Sequence, residues 1–377
     1  MDLLELLIGP VPWVSGSHSS GQPEQSARQV VCSTFSLFRN LSFYPFLPSI
    51  QEEQGKEILE KLTGCFMPHK DGLLCSLKKL ELNELRMLWE RCIFPPVIFG
   101  NLNFSESPGG PFTSSQYEHS AAILSHHGGK SILINMKEHL VYSYILPGVL
   151  EHFTEESRKK LLKEMHDDLS KETWAHEPSL GYLNSDPAVT GTGFRVSSLI
   201  HFPGISLSRN HEQLLNALNA IGLRGYGFNV LAGKGNFFWV SSRSTLGCSE
   251  EEIIADFSGK IQKLLKIEEE SEQEIYKADK NRIEDKIFRA YYQLLSARLM
   301  SYSEFLELSS IVRLGVYLQL IQPEILELLN VLQIKSATGH IQLGEENPLC
   351  QEEMEVLRAT MVRLTLSEIM NIKEKGA

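Results

Sequence analysis

From Ser249 onward the chain carries almost wholly helical patterns, while strand patterns are confined to the residues before it. Ser249 is followed by three glutamates, which is typical of a helix N-terminus, where a capping hydroxyl and acidic side chains satisfy free N–H groups. Amphipathic spacing continues over 283–299, 303–319 and 324–333. Strands and helices that separate along a chain in this way predict an α+β region followed by a helical region.

Strand patterns occupy the residues before Ser249. The apolar run 131–134 follows two glycines, and the run 196–202 follows a segment rich in Gly, Pro, Asn and Thr, so both are predicted to be strands. The aromatic run 237–240 is the clearest strand signal. A charged helix is predicted after Thr154, because this capping residue is followed by two glutamates.

We expect two domains from this division, an α+β domain over 1–265 and a helical domain over 266–377. Residues 1–28 are predicted to form a loosely ordered arm, because their later part is rich in Ser, Gly, Gln and Pro. The acidic stretch from Glu268 to Glu274 is interpreted as a solvated helix face or an interdomain connector, with an acidic docking surface as the alternative.

Charge, cysteine content and the N-terminus exclude several classes of protein. The 377 residues carry 36 Lys and Arg against 47 Asp and Glu, a net charge of −11, whereas non-specific nucleic-acid binding needs a basic surface. Asp2 and Glu5 stand where a secretory signal requires basic residues, and apolar runs such as 92–99 are too short to cross a membrane. A cytoplasmic protein is therefore expected. Its six scattered cysteines predict free thiols and no metal site.

Two glycine-rich turns each carry an arginine. The segment 227–234 has the wrong glycine spacing for a P-loop, and Gly191–Arg195 lacks the third glycine of a dinucleotide-binding turn. What remains is backbone N–H groups beside Arg195 in one turn and beside Arg224 in the other. Such groups suit phosphate oxygens, although an arginine taken alone is more often a surface or interface residue.

The order of several segments carries more information than any single motif. Four of them resemble the motifs S-S-R-I-R-L-A-R-N-L, N-E-E-D-H-L, G-Y-L-T-S-C-P…G-T-G-L-R and R-G of the ATP:guanido phosphotransferases, at Cys32–Leu41, Asn135–Leu140, Gly181–Arg195 and Leu223–Gly225. The tail resembles the bacterial protein-arginine kinase branch of that family, at Ile283–Lys286, Ala297–Leu299, Val312–Gly315 and Leu328–Asn330. The resemblance spans about 30–370, nearly the whole chain.

The resemblance implies a fold, an activity and partners. The fold is α+β, a mixed antiparallel sheet flanked by helices and followed by a helical domain. The activity is transfer of the ATP γ-phosphoryl group, with Mg²⁺, to arginine side chains of proteins, a reaction catalysed by positioning and charge neutralisation. The implied partners are arginine-containing protein substrates, a zinc-binding activator or a Clp-type chaperone, and a second copy in a homodimer. The nucleotide-binding residues carried over are Arg195, Val196, Ser197, Ser198, Leu199, Arg224, Gly225 and His139.

Several residues that this family uses for catalysis are different in this chain. Thr34 and Ser36 stand in place of two arginines of the first motif. Met136 and Lys137 replace the paired glutamates that orient and deprotonate the guanidinium. Glu138 aligns with the Asp that follows those glutamates, and it becomes a candidate catalytic base only if the register is shifted by one residue.

Further departures surround the same motifs. Val141 stands for an arginine, Asp186 for a cysteine, Asn229 for a glutamate and Arg91 for a histidine. Because each lost charge contact raises the catalytic barrier by about 2.7–4 kcal/mol, the combined losses favour a pseudokinase that binds or regulates. The alternative is an active protein-arginine kinase with a rearranged site, which would use the two retained arginines.

The tail departs from the R-D-x-x-R-A motif that forms a phosphoarginine-binding pocket in the resembled branch. The matching run is Met354–Ala359, in which Glu355 and Arg358 are retained and Met354 stands for the first arginine. This run predicts a weakened phosphoarginine pocket, with a plain amphipathic helix as the alternative interpretation.

Overall fold

The structure, a computed structural model, describes most of the chain. The described residues are 3–11, 14, 28–47, 49–67, 72–94, 118–125, 128–150, 153–208, 211–228, 235–243, 245–343, 345 and 347–374. Two features of the sequence fall largely outside these residues: the later part of the predicted arm, and the glycine-rich segment 227–234, of which 229–234, including Asn229, is not described.

Ten strands are present in the described part of the chain, and eight of them share one sheet. They are β1 (Val30–Arg39), β2 (Gly72–Ser76), β3 (Ala121–Ser125), β4 (Lys130–Ile134), β5 (Leu140–Pro147), β6 (His176–Glu177), β7 (Gly181–Tyr182), β8 (Phe194–His201), β9 (Leu223–Gly227) and β10 (Phe237–Ser242). The sheet order is β2-β3-β4-β5-β1-β8-β10-β9, with antiparallel pairing throughout, and β6 pairs with β7 separately. β1 lies centrally and all of its residues are buried, as expected for a strand covered on both faces.

Helices cover the sheet and make up the last third of the chain. They are α1 (Leu3–Ile8), α2 (Glu52–Phe66), α3 (Leu82–Glu90), α4 (Glu155–Leu169), α5 (Pro203–Ser208), α6 (His211–Ala220), α7 (Glu250–Ala278), α8 (Lys280–Ser296), α9 (Tyr302–Tyr317), α10 (Ile325–Lys335), α11 (Thr338–Ile341) and α12 (Gln351–Glu374). Two 3-10 turns, at Leu77–Lys79 and Pro187–Val189, lie among these elements.

One face of the sheet packs against α2, α4, α6 and α7. Ile58 and Leu62 of α2, Met165 of α4 and Phe257 of α7 join Phe35 of β1 in one apolar cluster. Burial of a side chain of this kind contributes about 1.5–3 kcal/mol to the free energy of folding, so this cluster is a major source of the stability of the α+β region.

Two further apolar clusters cover the opposite face of the sheet. The first joins α1 and α3 to the strands through residues such as Leu7 and Leu133. The second brings Val11 of the N-terminal segment and Ile334 of α10 against Leu199 of β8. The N-terminal segment and the helical region therefore both contact the sheet.

The last helices have an apolar core of their own. Leu294, Phe305, Leu329 and Val362 belong to this cluster, which unites α8, α9, α10 and α12. The predicted boundary after residue 265 falls inside α7, which is continuous from the α+β region to the start of this helical cluster.

The predicted fold class is confirmed: an antiparallel sheet is flanked by helices and followed by a helical region. The capping motif at Ser249 is present in full. Ser249 Oγ accepts from the Glu252 N–H at 3.2 Å, and the Glu252 carboxylate accepts from the Ser249 N–H at 2.7 Å. Thr154 caps α4 by accepting from the Ser157 N–H at 3.1 Å.

The acidic stretch in α7 differs from its prediction. Glu268 and Glu272 are 0% and 2% exposed, so the interpretation as a solvated face is wrong at these two positions. Glu268 accepts from the N–H groups of Gly204 and Ile205 at 2.5 and 2.9 Å, and Glu272 accepts from Gln29 Nε2 at 3.4 Å. The physical reason is the helix period, which places residues four apart on one face, and that face packs against α5.

The N-terminal segment also differs from the predicted loose arm over residues 3–11. Leu7 is buried, and Arg91 donates to the carbonyl oxygens of Leu7, Gly9 and Pro10 at 2.7, 3.0 and 2.8 Å. Composition alone did not indicate this, because the contacts come from the distant end of α3.

Candidate functional site

The retained arginines lie on strands of the central sheet. Arg195 is the second residue of β8 and pairs in register with Ser36 of β1. Arg224 lies in β9 and pairs with Ser241 of β10, which in turn pairs with Ser197 of β8. Because strands alternate side chains between faces, Arg195, Ser36 and Arg224 share one face of the sheet.

The turn before β8 depends on its glycines. Gly191 has a φ of +116°, and an added Cβ would lie 2.6 Å from the carbonyl oxygen of Thr245. Gly193 has a φ of +63°, and its Cβ would lie 2.6 Å from the carbonyl oxygen of Phe38. Backbone of this kind excludes larger residues, so the two glycines allow the close approach that sets the start of β8.

Arg195 is a buried cation with unused donors. It is 1% exposed, and its Nη2 donates to the Ala188 carbonyl at a long 3.5 Å. Its Nε and Nη1 have no acceptor among the described residues. Burial lowers the pKa of Arg195 to about 10, which still leaves the guanidinium charged at neutral pH. Such a group favours a nearby anion.

Asp186 is that nearby anion in the structure. Its Oδ2 lies 3.1 Å from Lys137 Nζ and 3.8 Å from Arg224 Nη1, and its Oδ1 accepts from the Ala188 N–H at 3.0 Å. Burial raises the pKa of Asp186, but the Ala188 N–H and the Lys137 charge outweigh burial and hold this pKa below its usual value. The carboxylate is therefore ionised and shared between cations.

Glu138 holds a loop in place. It is fully buried, and its carboxylate accepts from Asn40 Nδ2 at 2.6 Å and from the N–H groups of Ser185 and Asp186 at 2.9 and 3.1 Å. Both oxygens of this candidate catalytic base are thus bound inside the protein. This geometry favours the unshifted register, in which Glu138 has a structural role.

His139 is also bound internally. Its Nδ1 accepts from the Leu41 N–H at 2.9 Å, and its Nε2 donates to the Pro45 carbonyl at 3.0 Å. Burial lowers the pKa of His139 to about 4, so the ring is neutral at physiological pH. Tyr44 and Phe46 contact the ring edge-on. These contacts engage both nitrogens of a predicted nucleotide-binding residue.

The other predicted nucleotide-binding residues of β8 have partners in neighbouring strands. Ser197 Oγ lies 2.7 Å from Ser241 Oγ, and Ser198 Oγ lies 2.8 Å from Ser33 Oγ. Val196 belongs to the main apolar core, whereas Leu199 packs against the N-terminal segment on the opposite face. The resemblance groups the five residues from Arg195 to Leu199 as one nucleotide-binding set. Along the strand, however, their side chains alternate between the two faces of the sheet.

Serine and threonine hydroxyls occupy the sheet where the family has arginines. Ser36 Oγ lies 2.8 Å from Ser143 Oγ, and both residues are buried. Thr34 is also buried, in register with Ser197. Ser36 and Ser143 bond to each other, whereas Thr34 Oγ1 has no hydrogen-bond partner among the described residues, and none of these side chains is cationic.

Gly225, also predicted to bind nucleotide, lies in close contact with α6. An added Cβ would lie 2.6 Å from Leu218 Cδ1 and 2.7 Å from Leu215 Cδ2, both on α6. A glycine at this position lets α6 pack closely against β9. This packing role does not depend on any contact between Gly225 and a ligand.

A cleft of about 780 Å³ opens beside Lys137 and Asp186. It lies between the α2 region and the 185–187 loop, and its walls combine apolar side chains with several charges. Its lining residues are Leu47, Ile50, Gln51, Glu52, Gly55, Glu118, His119, Asn135, Met136, Lys137, Ser185, Asp186 and Pro187.

The two retained residues of the tail motif face different partners. Arg358 is buried on α12 and donates from Nε to the Ser336 carbonyl at 2.8 Å and from Nη1 to the Met300 carbonyl at 2.9 Å. Glu355 accepts from Gln351 Nε2 at 2.6 Å within the same helix. The structure thus gives Arg358 a helix-joining role through two backbone carbonyl groups, while the Glu355 charge also acts on its guanidinium.

Sequence reasoning missed the ion pair between Lys137 and Asp186. Each residue was recognised separately as a departure from the family, with Lys137 in place of a glutamate and Asp186 in place of a cysteine. The joint change of one position to Lys and another to Asp was the available signal, because opposite charges gained together indicate contact.

Two further observations concern the described residues as a set. Within them, no group of three His, Cys, Asp or Glu side chains is arranged to hold a metal ion. Of the helices in that part of the chain, none has both the length and the apolar character to cross a membrane.

This fold and the order of its motifs define a guanidino-kinase class of protein, and comparison with known families agrees. Residues 54–271 match the ATP:guanido phosphotransferase C-terminal catalytic domain, and 280–376 match the C-terminal domain of the protein-arginine kinase McsB. The chain belongs to the ATP:guanido phosphotransferase family, and its tail assigns it to the bacterial protein-arginine kinase branch.

Curated relatives support the same assignment, and a solved structure shows a similar fold. The protein-arginine kinase of Bacillus cereus (strain G9842) is 29% identical over 363 residues, 94% of this chain and 96% of the relative. That of Caldanaerobacter subterraneus subsp. tengcongensis is 29% identical over 344 residues, covering 90% and 97%. The duplicated taurocyamine kinase of Schistosoma mansoni with bound transition-state analogue components has a similar fold. Its TM-score is 0.53 at 15% identity, over 69% of this chain and 35% of that longer chain.

Proposed function

We propose that this protein is a catalytically impaired protein-arginine kinase that acts as a binding or regulatory pseudokinase. One observation carries the proposal. At the two positions where the family has paired glutamates, the cleft wall presents the thioether of Met136 and the ammonium of Lys137. A guanidinium needs an acceptor for its proton before its nitrogen can attack phosphorus, and an ammonium 3.1 Å from its own carboxylate partner cannot supply one.

The charged and polar residues of the candidate site fit a single phosphoryl group better than they fit Mg²⁺-ATP. The unused donors of Arg195 suit phosphoryl oxygens, and Arg224 lies nearby. Thr34 and Ser36 contribute no charge at the positions of two arginines, and Arg91 donates to backbone carbonyls. A charge clamp on three phosphates would therefore be incomplete, which supports weak or absent nucleotide binding.

The partners proposed for such a protein are other proteins. Arginine-containing proteins, a zinc-binding activator, a Clp-type chaperone and a second copy of the chain are all consistent with membership of this family. A location in the cytoplasm fits the same proposal.

A direct assay tests the proposal. The purified full chain would be incubated with Mg²⁺-ATP and an arginine-rich protein, and phosphoarginine would be quantified by mass spectrometry without acid treatment. We expect no product above a no-enzyme control. Product that disappears in an Arg195→Ala variant would overturn the pseudokinase proposal and establish the alternative, an active kinase with a rearranged site.

Nucleotide binding gives a second readout. A ligand that binds the folded state raises its stability by RT ln(1 + [L]/Kd), so millimolar ATP would shift the melting temperature if its Kd were micromolar. We expect a negligible shift. The retained Arg195, with its unused donors, is the observation that favours the active-kinase alternative, and a clear ATP-dependent shift would support it.

A further inference from the structure

A second cavity lies where the helical region meets the sheet. Its volume is about 210 Å³, and among the described residues it shares no lining residue with the cleft beside Lys137. Pro203, which begins α5 after β8, and Gly235, which precedes β10, line one side, while α8 and α9 line the other. The cavity is smaller than the roughly 300–1,000 Å³ pockets that hold drug-sized ligands, so it suits a small metabolite.

Apolar side chains form the walls of this cavity. They are Leu207 of α5, Ile283 and Ile287 of α8, and Ile311 and Leu314 of α9. Ile287 and Leu314 are buried, whereas Leu207 is 45% exposed and therefore lies at the opening. Apolar walls that reach from the surface to the core would bury a flat aromatic group.

Two side chains of opposite charge belong to the lining. Lys286 of α8 and Glu307 of α9 both line the cavity, and both are exposed. Their charges sum to zero, so a ligand with a single net charge would be repelled by one of the two side chains. A zwitterion with one carboxylate and one ammonium group complements both of them.

A buried hydrogen-bond network ends at Ser310, which also lines the cavity. Ser310 Oγ lies 2.8 Å from His201 Nε2, and His201 Nδ1 lies 3.1 Å from the Tyr317 hydroxyl. Burial lowers the pKa of His201 well below its usual range, so the ring carries a single proton. The other hydrogen bonds of the network determine which nitrogen holds this proton.

Two further side chains set the direction of these hydrogen bonds. Arg313 hydrogen-bonds to Tyr317, and a guanidinium can only donate, so the Tyr317 hydroxyl directs its own proton to His201 Nδ1. His201 Nε2 therefore donates to Ser310 Oγ, which also accepts from Asn236 Nδ2 at 2.9 Å. The Ser310 hydroxyl thus accepts two hydrogen bonds, and among the described residues no acceptor remains for its own proton. This proton is available to a ligand in the cavity.

We propose that this cavity binds a free α-amino acid of the tyrosine type. The α-carboxylate and α-ammonium groups contact Lys286 and Glu307, the ring lies between the apolar walls, and the phenol oxygen accepts the Ser310 proton. Such a ligand contacts α5 of the α+β region together with α8 and α9 of the helical region, so binding stabilises the junction between them. The inference goes beyond the proposed function and holds whether or not the chain phosphorylates arginine.

Calorimetric titration of the full chain tests the inference with four related probes. L-Tyrosine is compared with L-phenylalanine, which lacks the phenol oxygen, with tyramine, which lacks the carboxylate, and with p-hydroxyphenylpropionate, which lacks the ammonium group. We expect L-tyrosine to bind about fivefold more tightly than L-phenylalanine, because the latter loses one neutral hydrogen bond. Tyramine and p-hydroxyphenylpropionate should bind about tenfold more weakly or worse, because one lining charge repels each of them. L-Tyrosine should also raise the melting temperature.

Two lysines of α8 provide a matched pair of variants. Lys286→Met should weaken L-tyrosine binding about fivefold, because an exposed charge contact is lost. Lys280→Met removes an exposed lysine outside the cavity lining and should change the affinity less than about twofold. Leu207→Trp should abolish binding by filling the opening, whereas Leu246→Trp, at an exposed position outside the lining, should leave it unchanged.

Ser310→Ala gives a readout that a damaged fold does not reproduce. This variant should lose the preference for L-tyrosine over L-phenylalanine, while Lys286→Met should keep it. No binding of L-tyrosine at millimolar concentration would overturn the inference. So would equal affinity of the parent protein for the two amino acids, equally tight binding of tyramine or p-hydroxyphenylpropionate, or binding that Lys286→Met or Leu207→Trp leaves unchanged.

Discussion

Glu90 at the end of α3 and His340 in α11 are joined by a 2.7 Å hydrogen bond, in which His340 Nδ1 donates to Glu90 Oε2. The same carboxylate accepts from the Gly339 N–H at 2.9 Å and from the His340 N–H at 3.3 Å. Both side chains are buried. One carboxylate therefore fixes a short helix of the helical region to the α+β region.

We expect Glu90→Gln to lower the free energy of unfolding by about 2 kcal/mol, because an amide brings an NH₂ group against buried donors. Glu60→Gln is the control, because Glu60 is exposed and its carboxylate lies 3.9 Å from Lys56 Nζ. This substitution should change the free energy of unfolding by less than about 0.5 kcal/mol. Urea titration measures both. Equal stability of the two variants would contradict the proposed role of Glu90.

The buried pair Glu268 and Glu272 predicts a pH dependence of stability. Burial raises the pKa of Glu268 to about 7, and burial together with the Glu268 charge raises that of Glu272 to about 9. Since the folded state holds protons that the unfolded state has lost, stability is greatest below the ordinary carboxyl pKa. It falls as pH rises from about 5 towards about 9.

Removing one of these two buried carboxyl groups should cancel much of the decrease in stability with rising pH. At pH about 8, Glu272→Gln is expected to be more stable than the parent by about 2 kcal/mol or more. Glu270→Gln, an exposed change in the same helix, should leave the pH profile unaltered. Unfolding curves at several pH values measure this effect. Parallel profiles of the free energy of unfolding against pH for the parent and Glu272→Gln would refute the expectation.

The turn glycines provide a third prediction. Gly191→Ala places a Cβ 2.6 Å from the Thr245 carbonyl oxygen at a φ of +116°, so it should destabilise the fold by about 3 kcal/mol. Gly64→Ala lies within α2 with open space around it, and it should stabilise by about 0.5–1 kcal/mol through helix propensity. Thermal melts of the two variants should therefore move in opposite directions.

Two buried arginines should respond oppositely to the same substitution. Arg195 makes one long hydrogen bond and leaves two nitrogens unpaired among the described residues, so Arg195→Met should raise stability by about 1–2 kcal/mol. Arg91 donates to three carbonyls, and Arg91→Met should cost about 3 kcal/mol by leaving them unpaired. If Arg195→Met proved as damaging as Arg91→Met, Arg195 would be structural and not an anion site.

The sequence by itself determined the strands at 131–134, 196–202 and 237–240, the helical region after Ser249 and the caps at Thr154 and Ser249. It also identified Arg195 and Arg224, although the structure places both on strands and not in turns. These features depend on the chain's own periodicity and on hydrogen bonds between residues three or four apart. They were sufficient for the fold class and, with the order of motifs, for the family.

Only the tertiary structure decided which of these residues have free functional groups. It turned Glu138 and His139 inward, buried Glu268 and Glu272, and paired Lys137 with Asp186. Burial and electrostatic partners arise from segments that are distant along the chain, and the sign and pKa of a group follow from those partners. The sequence identifies the charges of the candidate site, whereas the packing of the sheet, loops and helices determines which of them remain available to a ligand.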